Sequence, residues 1–299
     1  MRKILIRLIM YSDKFPMYEI FYVRHGETDF NDVLNSSKSP EKVRCDENFI
    51  DCSLNAKGLS QVKSLYLKIE NIEIDYVFCS PLNRCLETAY HCLKKHPNKD
   101  MIKVIVSPYI TEVVNSIQDV SICIDKKKEI YNENSEIKFD WSYFDACFRK
   151  EEKETYFLNF IEVGDSYSEA ERLIKNIRDS GEKKGLYSLL LSVFINEKKR
   201  PESLFNLYLR TYNFKKFLKN FLDSSLRNCS NEKEEEKVRR EDEFSNKEKT
   251  KKVFVFTHSG FIRMSTGQFS KPVKEVSSYP RDCLKPRNCE MVSIDLTNI

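Results

Sequence analysis

The sequence predicts an α/β fold in three layers: a mostly parallel central sheet flanked by helices, with a large insertion after the third strand. Three observations predict it. Continuous apolar runs, too short for helices, end abruptly in polar turns and read as strands buried on both faces. Stretches with apolar residues three and four positions apart follow them, the spacing of one helical face. Of 299 residues, 40% are hydrophobic, enough for a sizeable core, which excludes a disordered or fibrous chain.

Residues 1–16 are read as an N-terminal extension. Arg2, Lys3 and residues 4–10 imitate a short organelle-targeting signal, but Arg7 interrupts the apolar stretch and no small-residue cleavage site follows. Ile20-Phe21-Tyr22-Val23 is the first strand, ending in Arg24-His25-Gly26, and Leu59, Val62, Leu65, Tyr66 and Ile69 mark the first helix. Tyr76-Val77-Phe78-Cys79 is the second strand. Ser80 reads as the cap of the next helix, with Pro81 at its first position and a stripe of Leu82, Leu86, Ala89 and Leu93. The third strand covers residues 102–106 and leads to Ile110-Thr111-Glu112-Val113. Periodicity then weakens, so residues 115–200 are read as an insertion packed on the core. A helix returns after Pro201 with Leu204, Leu207, Tyr208, Phe214, Leu218 and Phe221, and the mixed charges of 223–252 read as a flexible loop. Val253-Phe254-Val255-Phe256 resumes the sheet before Thr257-His258-Ser259-Gly260, and residues 291–296 close one edge. Residues 17–299 thus form a single domain.

Charge narrows the partners. With 50 Lys and Arg against 46 Asp and Glu, the net charge of +4 lacks the lopsided basic surface of nucleic-acid binders. The 10 cysteines are irregularly spaced with no C-x-x-C pair, which argues for reduced thiols in a cytoplasmic protein and against a zinc ribbon. No run of about 18 apolar residues could span a bilayer.

The chain has 4 histidines, and His25 and His258 each follow a buried strand near a glycine. Ligands of open α/β sheets bind beyond the carboxyl ends of the strands, so these imidazoles are expected to share one crevice. Arg24 adjoins His25, and Arg84 lies in the first turn of the helix after the second strand. Two guanidiniums beside two imidazoles suit a dianion, most naturally a phosphoryl group. The competing readings are a backbone-satisfied core histidine for His25 and a surface ion pair for Arg84. His91 and His96 read as helix-surface residues.

Arg24-His25-Gly26-Glu27-Thr28 resembles the R-H-G-E-[ST] signature of the histidine phosphatase superfamily, the phosphoglycerate mutase-like proteins. Residues 80–89 and 257–263 resemble the second and last blocks of that family, in the expected order. Asn288-Cys289-Glu290 resembles a feature of some eukaryotic members. The resemblance covers residues 17–113 and 201–296 and implies a phosphoglycerate mutase-like fold. It implies a phosphoryl transfer in two steps through a phosphohistidine, with His25 as nucleophile and Arg24, Arg84 and His258 on the phosphoryl oxygens. It also implies a further hydrogen bond from Asn31, no metal or other cofactor, and a role for Glu112 as proton donor, protonated until transfer. Against that last role stands an ordinary solvated carboxylate. Mutases of the family carry Trp-Asn after the signature and a longer block around the acid. Here the stretches read Thr28-Asp29-Phe30-Asn31 and Ile110-Thr111-Glu112-Val113-Val114. The expectation is therefore a phosphatase acting on a phosphorylated small molecule or phosphoprotein. A mutase, or a noncatalytic scaffold that only binds phosphate, is the alternative.

Overall fold

Strands form where apolar runs are covered on both sides, and the side chains along each run alternate between two cores. The computed structural model describes residues 18–121, 123–133, 135–160, 202–237, 250–267 and 276–294. The strands are β1 (Tyr18–Arg24), β2 (Tyr76–Cys79), β3 (Lys103–Val106), β4 (Lys138–Asp140), β5 (Lys251–Thr257) and β6 (Met291–Ile294). They lie in one sheet in the order β4-β3-β2-β5-β1-β6. β6 is antiparallel to β1 at one edge, and every other pair is parallel. The sheet is thus mostly parallel, as its uninterrupted apolar runs require.

The helices are α1 (Asp29–Ser36), α2 (Pro40–Arg44), α3 (Ala56–Ile69), α4 (Asn83–Leu93), α5 (Ile124–Glu133), α6 (Ser142–Cys147), α7 (Leu204–Lys237) and α8 (Ser259–Thr266). Val23, Val77, Cys79, Phe254 and Phe256 point to one face, where Val62, Leu65 and Ile69 of α3 and Leu86, Ala89 and Leu93 of α4 cover them. Ile20, Tyr22, Phe78, Val253 and Val255 point to the other, beneath α7 and Phe261 and Ile262 of α8. Leu207, Phe214, Leu218 and Leu222 anchor α7 by its buried stripe. At about 1.5–3 kcal/mol for each fully buried side chain, this stripe outweighs the weak intrinsic preference of an isolated helix.

Residues 115–160 share the core of the sheet. β4 pairs with β3, Val104 opposite Phe139, and Ile117, Val120, Ile124, Phe144 and Tyr156 are buried in the same cluster as the strands. Their aromatic side chains are core, with Trp141 edge-on to Phe144 at 5.7 Å. The rest of the expected insertion, 161–200, lies outside the described residues, as do 1–16. Residues 223–237 are not a loop, since α7 continues through them. Glu and Lys are good helix formers, so mixed charge along a chain does not by itself mark a loop. Residues 238–249 lie outside the described residues. α4 begins at Asn83 with Leu82 as its N-cap, not at Pro81, and the Ser80 hydroxyl accepts from Leu82 N at 3.4 Å. His96 is buried, with Nε2 3.1 Å from the Ile69 carbonyl, and braces the end of α4 against α3.

Sheet register positions the functional residues. Arg24 of β1 lies opposite Thr257 of β5, so His25 and His258 leave neighbouring parallel strands at the same end. Cys79 lies opposite Phe256, which brings Ser80 to that end as well.

Candidate active site

His25 and His258 meet with ring centroids 5.1 Å apart. The His25 Nδ1 lies 2.7 Å from the Gly26 carbonyl. A carbonyl can only accept, so Nδ1 carries the proton and Nε2 keeps its lone pair. Several bonds immobilise this turn. His25 N donates to Thr257 O at 3.0 Å, and Gly26 N donates to Thr88 Oγ1 at 3.0 Å. From the other side, Asn288 Nδ2 and Cys289 N donate to His25 O at 3.1 and 3.3 Å. Pro286 O accepts from Arg24 Nη1 at 3.0 Å. Asn288-Cys289-Glu290 thus acquires a physical role as a brace on the Arg24-His25 backbone. A Cβ on Gly26 would lie 3.0 Å from Gly58 O, so close approach of the α3 backbone explains the glycine.

His258 is fully buried, with Nε2 2.9 Å from Ser80 Oγ and 3.3 Å from Cys85 Sγ. Burial, then the charges of Arg84 and Arg24, depress the pKa of His25 well below the ordinary imidazole value. His258 is depressed in the same way by burial, Arg84 and His25. Both rings are therefore neutral near neutral pH, and neutral Nε2 of His25 is nucleophilic.

Arg84 is not a surface residue. Its side chain is 0% exposed and ion-paired with Asp119 at 2.9 Å, and Nη1 donates to Gln118 O at 2.7 Å. The second Asp119 oxygen accepts from Asn115 N, Ser116 N and Ser116 Oγ at 3.2, 3.0 and 2.9 Å. Burial pushes the Asp119 carboxyl up to about 6, against the pull of Arg84. Arg84 itself is held above its ordinary value, because Asp119 and neighbouring groups overcome the burial that opposes its charge. Arg24 is lowered by burial, which Glu112 partly offsets. The Nε atoms of both Arg24 and Arg84 are buried without a hydrogen-bond partner among the described residues. Buried donors are rarely left so, and here two of them belong to the guanidiniums beside the paired imidazoles.

Glu112 joins this cluster: its charge acts on both arginines. Its carboxylate accepts from Val113 N at 3.0 Å and Gly260 N at 3.2 Å, at the start of α8. A Cβ on Gly260 would lie 2.2 Å from Glu112 Oε1, so any larger residue there would displace the carboxylate. The Asn31 amide oxygen and backbone are engaged locally. Oδ1 accepts from Thr28 N at 3.2 Å and the backbone donates to Thr28 Oγ1, a capping box that starts α1. Four of the expected residues and Glu112 are brought together, while the Asn31 oxygen serves the helix cap. Sequence reasoning missed Asp119, which no periodicity marks, and the Ser80 hydroxyl, which was assigned to a cap. Among the described residues no group of three or more His, Cys, Asp or Glu is placed to hold a metal ion, and no helix is long and apolar enough to cross a membrane.

A Schizosaccharomyces pombe protein named as a probable phosphatase is 29% identical over 112 residues, which are 36% of this chain. They are 46% of that relative, so the chain spans about half its length. Among solved structures, the ecdysone phosphate phosphatase of Bombix mori in complex with tungstate is 14% identical, covering 92% of this chain and 88% of its own, with a TM-score of 0.41. The phosphoglycerate mutase of Bacillus anthracis is 13% identical over 83% of this chain and 77% of its own, with a TM-score of 0.34. Residues 20–134 match the profile of the histidine phosphatase superfamily, branch 1. That stretch, which carries Arg24, His25, Arg84 and Glu112, is what this chain shares with the histidine phosphatase superfamily.

Proposed function

We propose that the protein is a phosphatase that hydrolyses a phosphomonoester through a phosphohistidine on His25, without a metal. The observation that carries this reading is the pair of buried guanidinium Nε donors lacking acceptors beside two neutral imidazoles. Equatorial phosphoryl oxygens would satisfy those donors and spread their charge over Arg24, Arg84 and His258. In the first step His25 Nε2 forms a bond to phosphorus as the ester P–O bond breaks, and Glu112 gives its proton to the departing oxygen. In the second, the Glu112 carboxylate takes a proton from water. The water oxygen attacks phosphorus, the N–P bond breaks, and inorganic phosphate leaves. The substrate is a phosphorylated small molecule or phosphoprotein, and the protein is read as cytoplasmic.

The test is hydrolysis of p-nitrophenyl phosphate in the presence of a chelator, with acid-labile trapping of labelled enzyme. Turnover and label should both vanish in His25→Ala. Activity that survives this substitution, or that requires added metal, overturns the mechanism. An inactive protein that still binds phosphate would instead be the scaffold.

A further inference from the structure

Behind Glu112 lies a second buried arginine cluster, which meets the site only through the Glu112 backbone. Arg210 of α7 is 4% exposed and forms a two-pronged pair with Glu202, through Nε to Oε1 and Nη2 to Oε2, both at 2.9 Å. Its remaining donors reach the loop that follows β3. Nη1 donates to Tyr109 O at 2.9 Å, to Thr111 O at 2.8 Å and to Thr111 Oγ1 at 3.2 Å, and Nη2 donates to Glu112 O at 3.2 Å. Glu202 grips the same loop on its far side. Its Oε2 accepts from Val114 N at 2.9 Å, and its backbone N donates to Val114 O at 3.2 Å. The guanidinium also lies 4.7 Å from the Phe160 ring centroid.

The contrast with the anion-site arginines decides what Arg210 does. Arg24 and Arg84 each keep a buried Nε without a partner. In Arg210, Nε and both Nη atoms donate to protein acceptors, on Glu202 and on residues 109, 111 and 112, while Glu202 accepts from Val114 N on the other side of Glu112. We infer that Arg210 and Glu202 form a latch that positions the Glu112 carboxyl for proton transfer to the leaving group, so that the pair governs which leaving groups the enzyme can expel. The inference rests on the proposed role of Glu112. Both are positioning residues: neither contacts the reacting atoms. A guanidinium is needed because only its planar fork spans successive carbonyls and a carboxylate together. Without the latch, the Glu112 backbone is released on both sides, and a carboxyl displaced by about 1 Å loses most of its catalytic use.

Leaving-group dependence separates positioning from mere stability. p-Nitrophenolate departs without a proton, whereas the alkoxide of 2-glycerol phosphate needs one. Arg210→Lys keeps the charge opposite Glu202 and removes the fork, and the pair Arg210→Gln with Glu202→Gln leaves no unpaired charge. For each variant, shown by circular dichroism to be folded, kcat/KM is measured on both substrates. The expected result is a loss on 2-glycerol phosphate at least about 10-fold greater than on p-nitrophenyl phosphate, since general acid catalysis contributes about 100-fold or more. Equal losses on the two substrates, or no loss on either, overturn the inference. Glu112→Gln is measured beside them. If it shows no such selectivity, the acid assignment itself fails; if it does and both latch variants do not, the latch alone fails.

Discussion

Asp119→Asn tests how the anion site is held together. Asp119 is the only carboxylate paired with Arg84 among the described residues, at 2.9 Å, and both side chains are buried. The variant preserves shape and removes charge. Its amide oxygen can serve either Arg84 or the three donors from Asn115 and Ser116. Whichever it serves, its NH2 group faces donors on the other side. Removing one partner of a buried pair costs about 3–5 kcal/mol. For a domain of this size each kcal/mol shifts Tm by about 2–4 °C, so a fall on the order of 10 °C is expected. Gln118 O would still hold Arg84 Nη1 at 2.7 Å, which favours the lower part of that range. Inorganic phosphate or vanadate supplies the missing negative charge, so saturating anion should raise Tm more in the variant than in the wild type. The assay is thermal unfolding followed by circular dichroism, with and without anion. A Tm within about 2 °C of wild type, together with an equal response to anion, would show that Arg84 does not depend on Asp119 and would refute the reasoning.

Three further outcomes follow from the same geometry. Because burial and the arginines lower the His25 pKa, the unfolded chain binds a proton below about pH 6.5 that the native site refuses. Unfolding free energy should therefore fall as pH drops below that value, by up to about 1.4 kcal/mol per unit for this ring. His25→Asn should flatten the slope in urea titrations between pH 5 and 7, and an unchanged slope would contradict the buried neutral ring. Asn288→Ala removes one of two donors to His25 O while leaving Cys289 N in place. A loss of about 1 kcal/mol of positioning lowers kcat about 5-fold with little change in Tm, and an unaltered kcat argues against the brace. Gly58→Ala places a Cβ 2.1 Å from Glu27 O, a backbone atom that cannot step aside. Destabilisation of more than about 3 kcal/mol in denaturant melts is expected, and a wild-type midpoint would show that the signature loop yields.

What could be read from the sequence is what strand ends and local motifs encode. β1, β2 and β5 are uninterrupted apolar runs, and their register carries His25, Ser80 and His258 to one end of the sheet. Arg84 is legible because it lies one residue into α4, a fixed distance from β2. β4 was hidden because a strand of three residues, Lys138–Asp140, is too short to show a period. Helix α7 was cut short in the reading because charge of both signs fits a solvated loop and a solvated helix equally well.

The residues that hold the site, rather than form it, were the least legible, and the reason is physical. A group that meets an anion must sit at a strand end or helix start, where backbone geometry leaves a trace in the sequence. A group that meets that group needs only to reach it. Asp119 holds Arg84 from 35 positions away, in a turn with no periodicity. Asn288 holds His25 from 263 positions away, and Glu202 holds the Glu112 loop from across the gap to α7. Such partners answer to distance in the folded molecule, which spacing along the chain does not record. Arg210 makes the point most sharply: by composition it is one more basic residue on a helix, and only its acceptors distinguish it from Arg24 and Arg84, whose buried Nε atoms have no partner among the described residues.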